Sequence, residues 1–299
     1  MKTAAIFSLL PVKPESTIAS VRIARWLSDQ LGVELFDGPQ IADKELDVLF
    51  IVNASTLFCK HLPEVAQAVA RAKEVVWVQN DYTLPPPKAD SDAESPFRAA
   101  FNRRKLTPHF WTTCGENVGR TEKSARMNWN CLGMDLTQKP AELDTASWFY
   151  YGAHRDGRAS SFKYVDSILP SWNISTTSAK FADYPHANLL DSMPRSKFFD
   201  GLRGHGMGLY MQDAKSASKD HQPATRFYEM LSVGLPMAFT PDCVPTLAQY
   251  GIDVRPFIVS PGMLSKRAYT AAQQKTLWYH DYVALLSSTV KGEAHALLS

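Results

Sequence analysis

The sequence has no CxxC pair; its four cysteines, Cys59, Cys114, Cys131 and Cys243, are widely spaced. That spacing excludes zinc knuckles and thioredoxin-like redox sites, and it fits a reduced, cytoplasmic protein. No apolar run approaches the roughly 20 residues that span a bilayer, the stretch Leu46–Val52 being among the longest. Met1–Pro14 holds Lys2 and Lys13, a short apolar run and Pro11, so no secretory signal is expected. The dinucleotide fingerprint GxGxxG, the P-loop GxxxxGK[ST] and the zinc motif HExxH are all missing, and the eight histidines are scattered. No metal ligand set is expected. A large charge of one sign is also lacking: 32 basic against 30 acidic residues leave +2. Total charge therefore does not announce a nucleic-acid partner, and its distribution matters more.

What is present is core-forming sequence, 45% hydrophobic over 299 residues, enough for one large domain or two smaller ones. Thr3–Leu10, Val33–Phe36, Leu46–Asn53, Glu74–Gln79 and Phe110–Thr113 read as buried strands. Between them, Ser16–Leu31 (capped by Ser16, stopped by Gly32) and His61–Lys73 have helical spacing. The rhythm restarts after Lys139–Thr145. Strands are expected at Trp148–Tyr151, Trp172–Thr176, Gly208–Met211, Pro236–Thr240 and Phe257–Val259. Helices are expected at Ser160–Leu169, Ser192–Gly201, Ala224–Ser232, Val244–Tyr250 and Ala271–Ser287. Continuous apolar strands alternating with helices predict parallel sheets covered on both faces. The expectation is α/β, two Rossmann-like doubly wound domains, 1–142 and 143–299, facing across a cleft, with the last helix packing back on the first.

Open parallel sheets bind ligands beyond the carboxyl ends of their strands. Gly152-Ala-His-Arg-Asp-Gly-Arg158 follows one expected strand and precedes a helix. Glycine admits close backbone approach, a helix start attracts anions, and Arg grips phosphate oxygens with two N–H groups. A plain strand-to-helix turn with solvated charges is the competing reading. Thr225 and Arg226 open the helix 224–232, with Glu229 one turn on, where a carboxylate can accept from a ribose diol. The competing reading is an amphipathic helix with Glu229 in solvent. Asp90-Ser-Asp92 has the form of a metal-binding DxD, but its Pro-rich polar surroundings read as a solvated loop.

Arg226-Phe-Tyr-Glu-Met-Leu-Ser-Val-Gly-Leu-Pro236 resembles the donor-site helix of GT-B glycosyltransferases. Tyr150-Tyr-Gly-Ala-His-Arg-Asp-Gly-Arg158 is similar to the opening of the C-terminal domain in small phage-type members that modify hydroxymethylated DNA bases. The similarity covers residues about 148–245, and the N-terminal half matches in architecture. It implies transfer of a sugar from a nucleotide-sugar, a UDP-sugar, to a hydroxyl, with no cofactor beyond that co-substrate and no metal. The implied donor contacts are Glu229 to ribose, Arg226 and Thr225 to diphosphate, Gly152, Arg155 and Arg158 to the sugar-phosphate region, and Tyr184, in Phe181–Tyr184, near the nucleobase; the position of His154 fits a phosphate donor, with a catalytic base as its alternative. The Glu-x7-Glu of many retaining members is incomplete, because His221 stands at its first position.

A glycosyl acceptor hydroxyl needs a base. Asp81, directly after the strand Glu74–Gln79, is the candidate, with a turn-forming role as its alternative; Glu116 and Asp213 are lesser ones. Between Pro96 and Arg126 stand seven basic residues, Arg98, Arg103, Arg104, Lys105, Arg120, Lys123 and Arg126, against Glu116 and Glu122. Interleaved with Phe97, Phe101, Phe110 and Trp111, this stripe is a candidate DNA-binding surface. An enzyme acting on a base in duplex DNA must extrude that base. The expected partners are a nucleotide-sugar and double-stranded DNA, without a membrane, for a monomer in the cytoplasm of the host if phage-encoded. A small saccharide or cell-surface glycan acceptor, or a non-catalytic nucleotide- or nucleic-acid-binding protein on the same scaffold, remain the alternatives.

Overall fold

The computed structural model describes residues 2–13, 16, 18–52, 59–79, 109–112, 124–126, 147–176, 178–191, 193, 197–212, 223–279 and 290–299. The chain divides into two compact units, Met1–Gly133 with Leu285–Ser299, and Met134–Ala284. The boundary expected at 142/143 lies outside the described residues.

The first unit holds a parallel sheet of β1 (Ala4–Ser8), β2 (Glu34–Phe36), β3 (Val48–Val52), β4 (Glu74–Gln79), β5 (His109–Thr112) and β6 (Ser124–Arg126), in the order β2-β1-β3-β4-β5-β6. Every residue of β3 is buried, as a central strand covered on both faces requires. Helix α1 (Ala19–Leu31) buries Val21, Ile23, Ala24 and Leu27 and ends on Gly32, at φ 63°. Ser16 does not cap it: its hydroxyl accepts from the Ile18 amide at 3.4 Å, turning the chain before the helix begins. Helix α2 (Leu62–Arg71) sets Leu62, Val65, Ala68 and Val69 into one core with Phe7, Leu49, Ile51, Val75 and Trp77. Each such Val, Leu, Ile or Phe side chain contributes about 1.5–3 kcal/mol by leaving water. Strand β6 was not expected, because Ser-Ala-Arg carries no apolar run. Residues 290–298 are helical, and the Lys2 ammonium donates to the Leu297 carbonyl at 2.9 Å.

The second unit holds β7 (Trp148–Tyr151), β8 (Trp172–Ser175), β9 (Ala187–Leu190), β10 (Met207–Tyr210) and β11 (Met237–Phe239). They form a parallel sheet in the order β11-β10-β7-β8-β9. The chain steps outward from β7 to β9, then crosses back to lay β10 on the other flank of β7. The strand order therefore reverses between β7 and β10, and the crevice beyond their carboxyl ends is where such sheets bind ligands. Helix α3 (Ala159–Ile168) follows β7; α4 (Phe198–Arg203) precedes β10; α5 (Thr225–Ser232) lies between β10 and β11; α6 (Cys243–Ala248) and α7 (Arg267–Gln274) come after. Gly208 in β10 brings α5 close, since a Cβ there would run into Met230 Sδ. On the other flank, the Gln274 side-chain amide accepts from the Met237 amide at 2.8 Å and donates to its carbonyl at 2.7 Å.

Three expectations here need correction. The helix expected at 192–201 begins only at Phe198. Strand β9 was missed because Ala-Asn-Leu-Leu shows no alternation and lies at a sheet edge, leaving Leu189 50% exposed. The strand expected at Phe257–Val259 is a tight turn, Arg255–Phe257, followed by a single bridge from Ile258 to Phe239; Pro256 has no N–H to extend a ladder. The long helix expected at Ala271–Ser287 begins earlier, as α7 (Arg267–Gln274), and continues as a wider turn over Lys275–Tyr279, while residues 280–287 lie outside the described residues.

Candidate functional site

Two segments flank the crevice between β7 and β10: the loop after β7 and the helix α5. Gly152, the first residue past β7, has φ 125°, a backbone only glycine adopts readily. A Cβ there would lie 2.9 Å from Arg226 Nη2 and 3.6 Å from the Tyr150 hydroxyl. The glycine is what lets the arginine of α5 reach across the end of the sheet.

Tyr150 and Tyr151 point to opposite sides of β7, as successive strand residues must. The Tyr150 ring is fully buried against Phe162 and Phe181. Its hydroxyl accepts from Arg158 Nη1 at 3.0 Å, and the Arg226 guanidinium lies 4.9 Å from its ring centroid. Burial pushes the Tyr150 phenol up, but the positive charges of Arg226 and Arg158 outweigh it and hold its pKa below the usual tyrosine value. Burial and repulsion from Arg226 lower the Arg158 pKa. Burial opposes charge on Arg226 too, yet the oxygens of Tyr150 and Tyr151 raise its pKa. The two guanidiniums stay cationic side by side. Among the described residues, Arg158 Nε and Arg226 Nη1 are buried and have no hydrogen-bond partner. Leaving such donors unmade costs about 1–3 kcal/mol each, more for charged groups. An anion with several oxygens removes that cost.

Glu229 lies one helical turn beyond Arg226 and is 5% exposed, so the solvated alternative does not hold. Its Oε2 accepts from the Tyr151 hydroxyl at 2.8 Å. That bond aims the carboxylate. Thr225 opens α5 without any side-chain cap on the helix, and the preceding Ala224 amide donates to the Tyr210 hydroxyl at 2.9 Å.

His154 and Tyr184 are also brought together. His154 Nε2 lies 3.1 Å from the Tyr184 hydroxyl, and the imidazole packs among Phe162, Phe181 and Tyr184. Its Nδ1 is buried without a partner among the described residues. Burial raises the Tyr184 pKa, helped by Asp183 and Asp166. Arg155 is exposed, and its charge adds to the repulsion felt by Arg158. Sequence reasoning missed Tyr150 and Tyr151 as site residues. Trp-Phe-Tyr-Tyr reads as core strand, and the only signal was their place at the carboxyl end of β7.

Asp81 and the stripe residues Arg98, Arg103, Arg104, Lys105 and Arg120 lie outside the described residues, as do Glu116 and Asp213. Among the described residues no three His, Cys, Asp or Glu side chains gather to hold a metal, and no helix is long and apolar enough to cross a membrane.

No protein-family model and no curated protein sequence matches this chain. Solved structures do. An alpha-glucosyltransferase (AGT) in complex with UDP superposes with TM-score 0.58 at 11% identity, over 82% of this chain and 82% of that one. T4 phage BGT in complex with its UDP-glucose substrate gives 0.55 at 14%, over 98% of this chain and 95% of that one. An alpha-glucosyltransferase with UDP and a 13-mer DNA containing a central A:G mismatch gives 0.55 at 12%, over 100% and 95%. The fold of this chain is GT-B, two α/β units each built on a parallel sheet, and in that fold it resembles the alpha-glucosyltransferase and T4 phage BGT structures.

Proposed function

We propose that the protein is a nucleotide-sugar glycosyltransferase whose second unit binds the donor. The observation that carries this reading is the buried pair of guanidiniums, Arg158 and Arg226, with unpartnered N–H groups beside the oriented carboxylate of Glu229. The pair takes the diphosphate and Glu229 the ribose hydroxyls. UDP in the structural neighbours supports a uridine nucleotide. His154 and Tyr184 lie one aromatic ring from Tyr150, through Phe162, and form the nucleobase side.

In the transfer, an acceptor oxygen bonds to the anomeric carbon as the bond from that carbon to the β-phosphate oxygen breaks. The electron pair leaves with the diphosphate, and the acceptor proton passes to a base. Arg158 and Arg226 stabilise charge that grows on the leaving oxygen, the task a divalent cation performs elsewhere. Activity is therefore expected to survive EDTA. The base we propose is Asp81, and the acceptor a hydroxymethylated pyrimidine in duplex DNA, tracked by Arg98, Arg103, Arg104, Lys105 and Arg120. DNA in the structural neighbours supports that acceptor. A cytoplasmic location goes with it.

The test is turnover. The protein is mixed with a panel of nucleotide-sugars and with plain or hydroxymethylated duplex DNA, and digested nucleosides are weighed by mass spectrometry. A nucleoside heavier by one sugar is expected, with Asp81→Asn binding donor but not turning over. Donor hydrolysis without DNA modification would move the acceptor to a saccharide. No donor consumption would leave a binding protein.

A further inference from the structure

We infer that Tyr150 is a positioning residue whose hydroxyl ties Arg158 and Arg226 together as one diphosphate-binding fork. The inference rests on the donor site proposed above. Two guanidiniums that meet at one tyrosine repel one another, and burial first, then that repulsion, lowers the Arg158 pKa. Something must hold them in register when no anion is bound. Among the described residues the phenol oxygen of Tyr150 is the shared neighbour. It accepts from Arg158 Nη1 at 3.0 Å and lies beside the Arg226 guanidinium, which in turn covers the Tyr150 ring.

The chemistry of the tether is specific. An Asp or Glu at this point would hold both arginines but cancel one of their charges and occupy the donors meant for the ligand. A protonated phenol accepts hydrogen bonds without a formal charge, so the pair keeps its full positive charge. The rest of the ring's surroundings are the apolar rings of Phe162 and Phe181, which fix it in place and strengthen the interaction by excluding water. The two arginines come from different elements, the turn leading into α3 and the first turn of α5, so neither backbone alone sets their spacing. Tyr150 acts on the ligand only through them.

The experiment measures binding of UDP and of inorganic pyrophosphate by calorimetry to the wild-type chain, Tyr150→Phe, Arg158→Lys and the double variant, each checked by thermal melting. Tyr150→Phe is expected to weaken both ligands about tenfold, the scale of one lost hydrogen bond to a charged group. The double variant is expected to bind no more weakly than Arg158→Lys, because the tether and its arginine act as a unit. A second reading needs no variant: the tyrosinate absorbance of the wild-type chain should appear at higher pH with pyrophosphate bound, since an anion on Arg158 and Arg226 opposes a charged phenolate. Unchanged affinity in Tyr150→Phe, additive losses in the double variant, or an alkaline titration indifferent to pyrophosphate would overturn the inference. A wild-type chain that binds neither ligand would overturn the donor site itself, and the inference with it.

Discussion

Gly152 and Arg226 are packed so closely that a Cβ on the glycine would lie 2.9 Å from Nη2 of the arginine. The contact joins the turn after β7 to the first turn of α5, the two segments on either side of the point where strand order reverses. Gly152→Ala is expected to cost about 1–3 kcal/mol of stability, because φ 125° strains any side-chain-bearing residue. It should also push Arg226 aside. Chemical denaturation would read the first effect and UDP titration the second, and the loss of UDP affinity should exceed what the small stability loss explains.

Glu229 supplies a test of the proposed ribose contact. Glu229→Gln keeps the volume and can still pair with the Tyr151 hydroxyl, but it loses the charge. UDP affinity is expected to fall about tenfold, some 1.4 kcal/mol, with little change in melting temperature. The same variant should bind pyrophosphate as the wild type does, since the arginines are untouched. Equal loss for both ligands would remove Glu229 from the ribose.

His205 predicts an acid-sensitive second unit. Its ring stacks on Phe149 with centroids 3.7 Å apart, and burial pushes its pKa down to about 4 from the ordinary 6.5. The native state holds this imidazole neutral, while the unfolded chain protonates it below pH 6.5. Stability from this group is therefore complete above about pH 6.5 and lost progressively as pH falls toward 4. The loss should be roughly 1–2 kcal/mol, after allowing for the ring's partial exposure. His205→Gln should flatten that part of the stability–pH curve, measured by urea unfolding.

Gln274 closes the outer strand of the same sheet with a side chain. Its amide makes both hydrogen bonds to the Met237 backbone that a neighbouring strand would make. Gln274→Ala leaves a buried N–H and a buried C=O unpaired, and a loss of about 2–4 kcal/mol is expected. Gln274→Glu would satisfy the N–H alone and should fall between the two in thermal melting.

Much of the fold was legible because buried parallel strands write themselves as short continuous apolar runs. Glu74–Gln79 and Trp148–Tyr151 were bounded to the residue. The misses share a cause. β6, β9 and the turn at Arg255–Phe257 are short, and their pairing depends on what lies beside them rather than on their own composition. At the candidate site, Arg158, Arg226 and Glu229 stood out in the sequence by residue type and by position after a strand or on a helix start. Their tyrosine partners were not, because a tyrosine in an apolar strand looks the same whether its hydroxyl meets solvent or an arginine.

The sequence by itself determined the α/β class, the parallel strands, the helix carrying Arg226 and Glu229, and the basic stripe from Arg98 to Arg126. These follow from local periodicity and residue chemistry. Only the tertiary structure decided that β10 returns to the flank of β7, and with it that Arg158, Arg226 and Tyr150 meet. Residues 150 and 226 are far apart along the chain, so their contact depends on strand order, which is set by how helices cover both faces of the sheet. The charge of each arginine is written in the sequence; its buried, unpartnered N–H group is a property of the packing around it.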